Sequence, residues 1–198
     1  MNKSDITIDK LQKAIANLGY EFFVNGDYNL NIIGIRSADN TANTFNDFIS
    51  LVYKVDGEFQ LKVYAVTTDP GIYYRENPRN VKGVAILAPA QHRGCFQLGK
   101  HQGKYKALVQ AKEVPVLRDN NHDQVLDYGG GVDIGFHGIN IHRASDEHTS
   151  SIVNRWSEGC QVFANPDDFS EFIDLCEKST SSYGSTLTYT LIEEENLS

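Results

Sequence analysis

Asp47 to Val66 reads DFISLVYKVDGEFQLKVYAV, two apolar, β-branched runs on either side of Asp56-Gly57. Asp-Gly between such runs is a strong short-range signal for a β-hairpin, because a tight hairpin turn needs residues that tolerate positive φ. The spacing predicts strands at 47–55 and 59–66. Working outward, Tyr28 to Ile35 (YNLNIIGI) is strand-like, and Arg36 to Asn46 is polar and loop-like. Asp69-Pro70-Gly71 makes the next turn. Val84 to Leu87, Tyr105 to Ala111, Glu113 to Leu117 and Leu187 to Ile192 add further strands, with Gly94 to Gly103 expected as a turn-rich link.

Two segments carry helical spacing instead. In residues 4–20, Ile8, Leu11, Ile15 and Leu18 recur on one face, Ser4 or Asp5 can cap, and Gly19 stops the run. In 165–178, Phe169, Phe172, Ile173 and Cys176 share a face. Many strands and about two helices imply a mainly β (β+α) single domain over 1–198, sandwich- or barrel-like, with helix 4–20 packed on it.

The chain has 198 residues, enough for one sizeable core. Its net charge of −8 and lack of a basic block argue against a nucleic-acid partner. No run reaches the length of a membrane span. The start, MNKSDITIDK, has no apolar segment of a signal peptide, so synthesis in the cytoplasm is expected. Three cysteines, Cys95, Cys160 and Cys176, leave at least one thiol free in any pairing. Cys176 lies on the apolar helix face, which predicts core packing.

Gly135 to Phe163 reads GFHGINIHRASDEHTSSIVNRWSEGCQVF. In a regular strand His142 shares a polar side with Asn140 and Gly138, while Ile139 and Ile141 take the other side, and His137 with them. Cys160 follows Gly159, which lets backbone approach a substrate closely, and the neighbouring N–H groups can face a developing oxyanion. A histidine near the cysteine can act as its base, and a thiol so paired is expected to react well below its ordinary pKa of about 8.5. Arg143, Asn140 and Gly138 are candidates for substrate contact, and Arg143 can pair either with a substrate carboxylate or with Glu158. Ser157 can brace the turn.

This segment resembles the catalytic motif of L,D-transpeptidases (YkuD-type), in which a histidine is followed, after roughly fourteen to seventeen residues, by Ser/Thr-x-Gly-Cys. Here fourteen residues, Arg143 to Trp156, separate His142 from Ser157. The wording departs from the family at three points. Glu158 stands where His is frequent, Gln161-Val162 replaces the usual pair after the cysteine, and Arg143 follows the histidine instead of Gly. It looks closer to a phage-associated subgroup. The resemblance implies Cys160 as nucleophile, His142 as base, Gly159 and Ser157 in the catalytic turn, and no required cofactor. It implies acyl transfer on peptidoglycan stem peptides through a thioester, or the hydrolytic variant, with access to the wall through lysis or a virion. A non-catalytic wall-binding or virion structural protein that keeps the fold is the alternative.

Asp119, Asn121, Asp123 and Asp127 place oxygen ligands at alternate positions, a weak Ca²⁺-loop pattern. The glycine expected after Asp123 and a bidentate Glu at the twelfth position are missing, and an Asx-rich turn accounts for the same residues. Gly129 to Gly131 are expected to form a flexible rim.

Overall fold

The computed structural model describes residues 1–39, 43–127 and 131–197. The expected hairpin forms. Strand β1 (Asn31–Arg36) is followed by β2 (Asp47–Val55) and β3 (Glu58–Thr67), which pair antiparallel with Val55 opposite Glu58. Asp56 and Gly57 both take positive φ, 52° and 82°, which matches the turn to the right-handed twist of the strands.

A short helix α1 (Ile8–Asn17) precedes β1, capped by Thr7, whose Oγ1 accepts from Lys10 N at 3.3 Å. After β3 come α2 (Ile72–Glu76), β4 (Val84–Leu87), β5 (Ala90–His101), β6 (Tyr105–Gln110), β7 (Val114–Asp119), β8 (Val132–Gly135), β9 (Ile141–Arg143) and β10 (Gln161–Phe163). The chain ends with α3 (Pro166–Tyr183), β11 (Thr186–Glu193) and a 3₁₀ turn.

Eight strands close into a barrel in the order β1-β11-β5-β6-β9-β10-β3-β2, and β4-β7-β8 form a separate three-stranded sheet. The mainly β, barrel-like reading of the sequence therefore holds. Alternation along β1 sorts the core: Ile32 joins the cluster inside the barrel, while Ile33 and Ile35 face outward under α1 with Leu11, Ala14 and Ile15. Helix α3 adds Phe169, Phe172, Ile173, Leu175 and Cys176 to the inner cluster, against Tyr64, Phe96, Phe163 and Tyr189. Gly34 is needed inside β1, because the Tyr189 hydroxyl occupies the space a Cβ would fill.

Two expectations change. Gly94 to Gly103 is not a turn-rich link. It lies in the long strand β5, which bends through Gly94 at φ 58°, where the β11 register also shifts. Only Gln102 and Gly103 make a turn, again at positive φ. The apolar run ending at His142 is also not one strand. Gly138 at φ 71° breaks it, so β8 stays in the small sheet and β9 enters the barrel. No helix among the described residues is long and apolar enough to cross a membrane.

Candidate active site

Parallel pairing of β9 with β10 builds the site. Ile141 is opposite Gln161 and His142 opposite Val162, and Gln161 N donates to Asn140 O at 2.9 Å. Ile141 and Phe163 point into the barrel core. Cys160 lies two residues before Val162, the residue opposite His142, so the two are diagonal neighbours on adjacent chain segments. Both line one cavity of about 510 Å³ between the barrel and the small sheet. Gly138, Asn140 and His142 all line that cavity, and so do His137 and Ile139, which the sequence parity puts on the other side.

The Ser157–Cys160 turn is braced from several sides. Ser157 is fully buried, donates its hydroxyl to Cys160 O at 2.8 Å and accepts from Gly159 N at 3.1 Å. Its carbonyl accepts from Gly71 N at 2.9 Å. Gly159, at φ 117°, lies against the Ala85 carbonyl where any Cβ would collide. Glycine is required here for packing against β4 as well as for the backbone angle. The expectation that the Gly159 N–H faces an oxyanion is corrected, because that N–H is committed to Ser157. Behind the turn, the Tyr189 hydroxyl donates to Gln161 Oε1 at 2.8 Å inside the barrel.

The Cys160 thiol donates to Gly138 O at 3.5 Å and accepts from Asn140 N at 3.4 Å. His142 Nδ1 lies 2.8 Å from Arg143 O, an acceptor only, so the proton is assigned to Nδ1 and the lone pair to Nε2. Tyr105 supports the same carbonyl, donating to it at 3.1 Å. The His101 ring stacks on His142 with centroids 3.9 Å apart and planes at 19°. Asn140 Nδ2 contacts His101 Nδ1 at 3.1 Å and Asn140 Oδ1 accepts from Gln110 N at 3.3 Å, so one side chain locks the histidine pair to β6.

Burial decides the charge states. It lowers His142 to about 3, with His101 adding to the effect. Burial likewise pushes the Cys160 thiol up to about 11, against the help of the Asn140 amide. The expectation of a thiolate held by a cationic histidine is corrected: in the resting site both groups are neutral. Burial lowers His101 as well, with Lys104 contributing.

The remaining candidates separate. Arg143 does not line the cavity. Its guanidinium pairs with Asp146 at 3.3 Å and sits 4.2 Å from the Tyr105 ring centroid, while Glu158 pairs with Arg79 at 3.4 Å. His137 does not follow Ile139 and Ile141 inward, because Gly138 resets the parity. It enters the cavity wall, held by Arg118 at 3.2 Å and by Asp133 O at 3.1 Å. In the acidic loop, the Asn121 amide nitrogen donates to both Asp123 and Asp127, and Asp123 Oδ1 accepts from Val125 N at 2.8 Å. That is Asx-turn bonding with the Asn121 amide at its centre. Among the described residues no group of three or more His, Cys, Asp or Glu is gathered to hold a metal. Gly129 and Gly130 lie outside the described residues.

Sequence reasoning missed His101, Tyr105, Arg79 and Arg155. His101 closes β5 next to a Gln-Gly turn, and only the β5-β6-β9 pairing brings it to His142. No local pattern marks it. Comparison of the chain with protein-family models, with curated proteins and with solved structures finds no match in any of the three.

Proposed function

We propose that the protein is a cysteine-dependent acyl-transfer enzyme acting on peptide amides, with peptidoglycan stem peptides as the substrate class that the motif resemblance suggests. The observation that carries this reading is that a thiol and a histidine line one cleft from neighbouring chain segments, the histidine with its Nδ1 proton fixed by the Arg143 carbonyl. A histidine so oriented leaves Nε2 as the nitrogen able to act as base, and the proposal assigns the Cys160 proton to it.

Because both groups rest neutral, proton transfer accompanies attack. Nε2 of His142 takes the Cys160 proton as the sulfur bonds to the amide carbonyl carbon. The carbonyl electron pair moves onto oxygen, where the Cys160 N–H is the donor proposed for it. Collapse breaks the carbon–nitrogen bond, and the leaving amine takes the proton from His142. An incoming amine, or water in the hydrolytic variant, then attacks the thioester, gives its proton to His142 and returns the sulfur, which regains that proton.

A second reading has its own support. A thiol at about 11 beside a histidine at about 3 is unactivated at rest, as a non-catalytic wall-binding or virion structural protein would tolerate. Incubation with purified muropeptides, followed by mass spectrometry, separates the readings. Crosslinked products mean transfer, cleaved products mean hydrolysis, and unchanged muropeptides in the presence of an intact fold sink the enzyme reading.

A further inference from the structure

We propose that Arg155, assisted by Arg79, forms a carboxylate-binding subsite in the Cys160 cleft, so that the preferred substrate is a peptide carrying a free carboxylate close to the amide under attack. The role as a substrate subsite rests on the acyl-transfer reading; the anion preference itself does not.

The chain carries a net charge of −8, yet three guanidiniums, Arg79, Arg118 and Arg155, line this cavity against one carboxylate, Glu158. Arg118 is held by Asp133 at 2.8 Å, and Arg79 is shared with Glu158 at 3.4 Å. Arg155 makes no ion pair among the described residues. It is nevertheless ordered in one direction, because its guanidinium lies over the Tyr73 ring, 3.8 Å from the centroid. Arg79 is arranged the same way on the next residue, 5.1 Å from the Tyr74 centroid with a 3.2 Å contact to the Tyr74 hydroxyl. The two tyrosines pack edge to face, centroids 5.2 Å apart. Helix α2 is thus an aromatic platform that holds two planar cations at the cleft.

The platform and the catalytic turn form one unit. The Asn154 backbone occupies the space a Cβ on Gly71 would need, and Gly71 N donates to Ser157 O at 2.9 Å. Asn43 also binds this segment, its carbonyl accepting from Val153 N at 3.2 Å. Arg155, five residues before Cys160, is therefore carried on the same braced segment. A planar fork already laid on an aromatic face loses little freedom when it takes a carboxylate through two parallel hydrogen bonds. The fork recognises a carboxylate in preference to a neutral amide at the same place, because only the carboxylate brings charge and two acceptors to it.

The test uses the full chain as Cys160→Ala, so that binding is read without turnover. The Arg155 Nε–Hε signal is followed by NMR during titration with N-acetyl-D-alanine and, separately, with N-acetyl-D-alaninamide. The expected result is a saturating shift with the acid and an affinity at least about tenfold above the amide. Arg155→Gln loses that preference, and Arg155→Lys keeps part of it, because the charge stays while the fork is lost. Equal affinities for acid and amide, no shift with either probe, or a preference that survives Arg155→Gln overturns the subsite. Muropeptide turnover by the unsubstituted protein is measured in parallel. Turnover without acid preference removes only the subsite, and acid preference without turnover removes only the enzyme reading.

Discussion

Two buried polar regions of this protein meet at Thr68 and are built on opposite rules. In the cleft, Cys160 and His142 are both kept neutral by burial. On the other side, Arg36 is almost fully buried and gathers charge: Nε to Asp69 at 3.0 Å and a terminal nitrogen to Glu193 at 3.6 Å, with Leu87 O accepting at 3.0 Å. Asp47 completes the group through Thr68, accepting from its N at 2.6 Å and its hydroxyl at 2.8 Å. The Thr68 carbonyl serves both regions, taking Arg36 at 3.3 Å and Gln161 at 3.5 Å. The charged region is held by ion pairs and hydrogen bonds that reach β11, β4 and, through Thr68, β2, which is what a structural brace needs. The neutral one opens to solvent and leaves an imidazole lone pair uncommitted, which is what a reacting site needs.

The largest expected effect is on chemistry. Cys160→Ala removes the proposed nucleophile and few contacts, so muropeptide turnover should vanish while the melting temperature stays near that of the unsubstituted protein. His142→Gln should lower turnover by about 10²–10⁴-fold, the usual contribution of a positioned base. It should leave the pH profile of Cys160 alkylation almost unmoved, because a neutral histidine supplies no charge to the resting thiol. Iodoacetamide labelling with peptide mapping checks this. An inflection well below the ordinary thiol value, shifting upward in His142→Gln, would restore the ion pair and erase the contrast between the regions.

Next in size is Arg36→Leu. It strands Asp69 and Glu193 without their cation, and breaking a buried ion pair from one side costs about 3–5 kcal/mol. Chemical denaturation measures it. A loss below about 1 kcal/mol would mean that the cluster is not a brace.

How much of this was legible beforehand follows from where each constraint lives. The β2-β3 hairpin was readable because Asp56-Gly57 and the alternation around it are local. So was the packed face of Cys176, and the side of the chain on which His142 would lie. The sheet switch at Gly138 was not, because a glycine is equally at home in a strand and in a break, and only closure of the barrel chooses. His101 and Arg155 reach the cleft through pairings and loop packing set by residues far away in sequence. The charge state of Cys160 was misread because the motif supplies the partner, while burial, which comes from the whole fold, sets the outcome. Arg36 sits in a segment boundary that reads as polar loop, so nothing local announces a buried cation.

Acid and base should pull on the two regions in opposite directions. Asp47 is raised from 3.8 to about 7, chiefly by burial and then by Asp69, so the fold favours its protonated form. That contribution is complete below about 4 and is lost as pH rises through about 7. His142 is lowered from 6.5 to about 3, so its contribution is present above 6.5 and is lost as pH falls toward 3. Asp47→Asn should therefore flatten the alkaline side of a melting-temperature profile taken from pH 4 to 8, and His142→Gln the acid side. Two variants with profiles parallel to the unsubstituted protein would show that neither group titrates with folding.

The smallest expected effect concerns the acidic loop beside both regions. If Asp119, Asn121, Asp123 and Asp127 held Ca²⁺, the ion would stabilise the fold by mass action and EDTA would remove that gain. The arrangement argues otherwise. The Asn121 amide nitrogen donates to the carboxylates of Asp123 and Asp127, which offsets their repulsion without an ion. Asp119 is drawn into the protein instead, its carboxyl raised by burial and by Asp127. Melting curves with calcium and with EDTA should superimpose, and Asn121→Ala should lower the melting temperature slightly in both by freeing the two carboxylates to repel. A calcium-dependent rise, lost in Asp123→Asn, would instead require the Asn121 side chain to turn its oxygen inward and would make the loop a metal site.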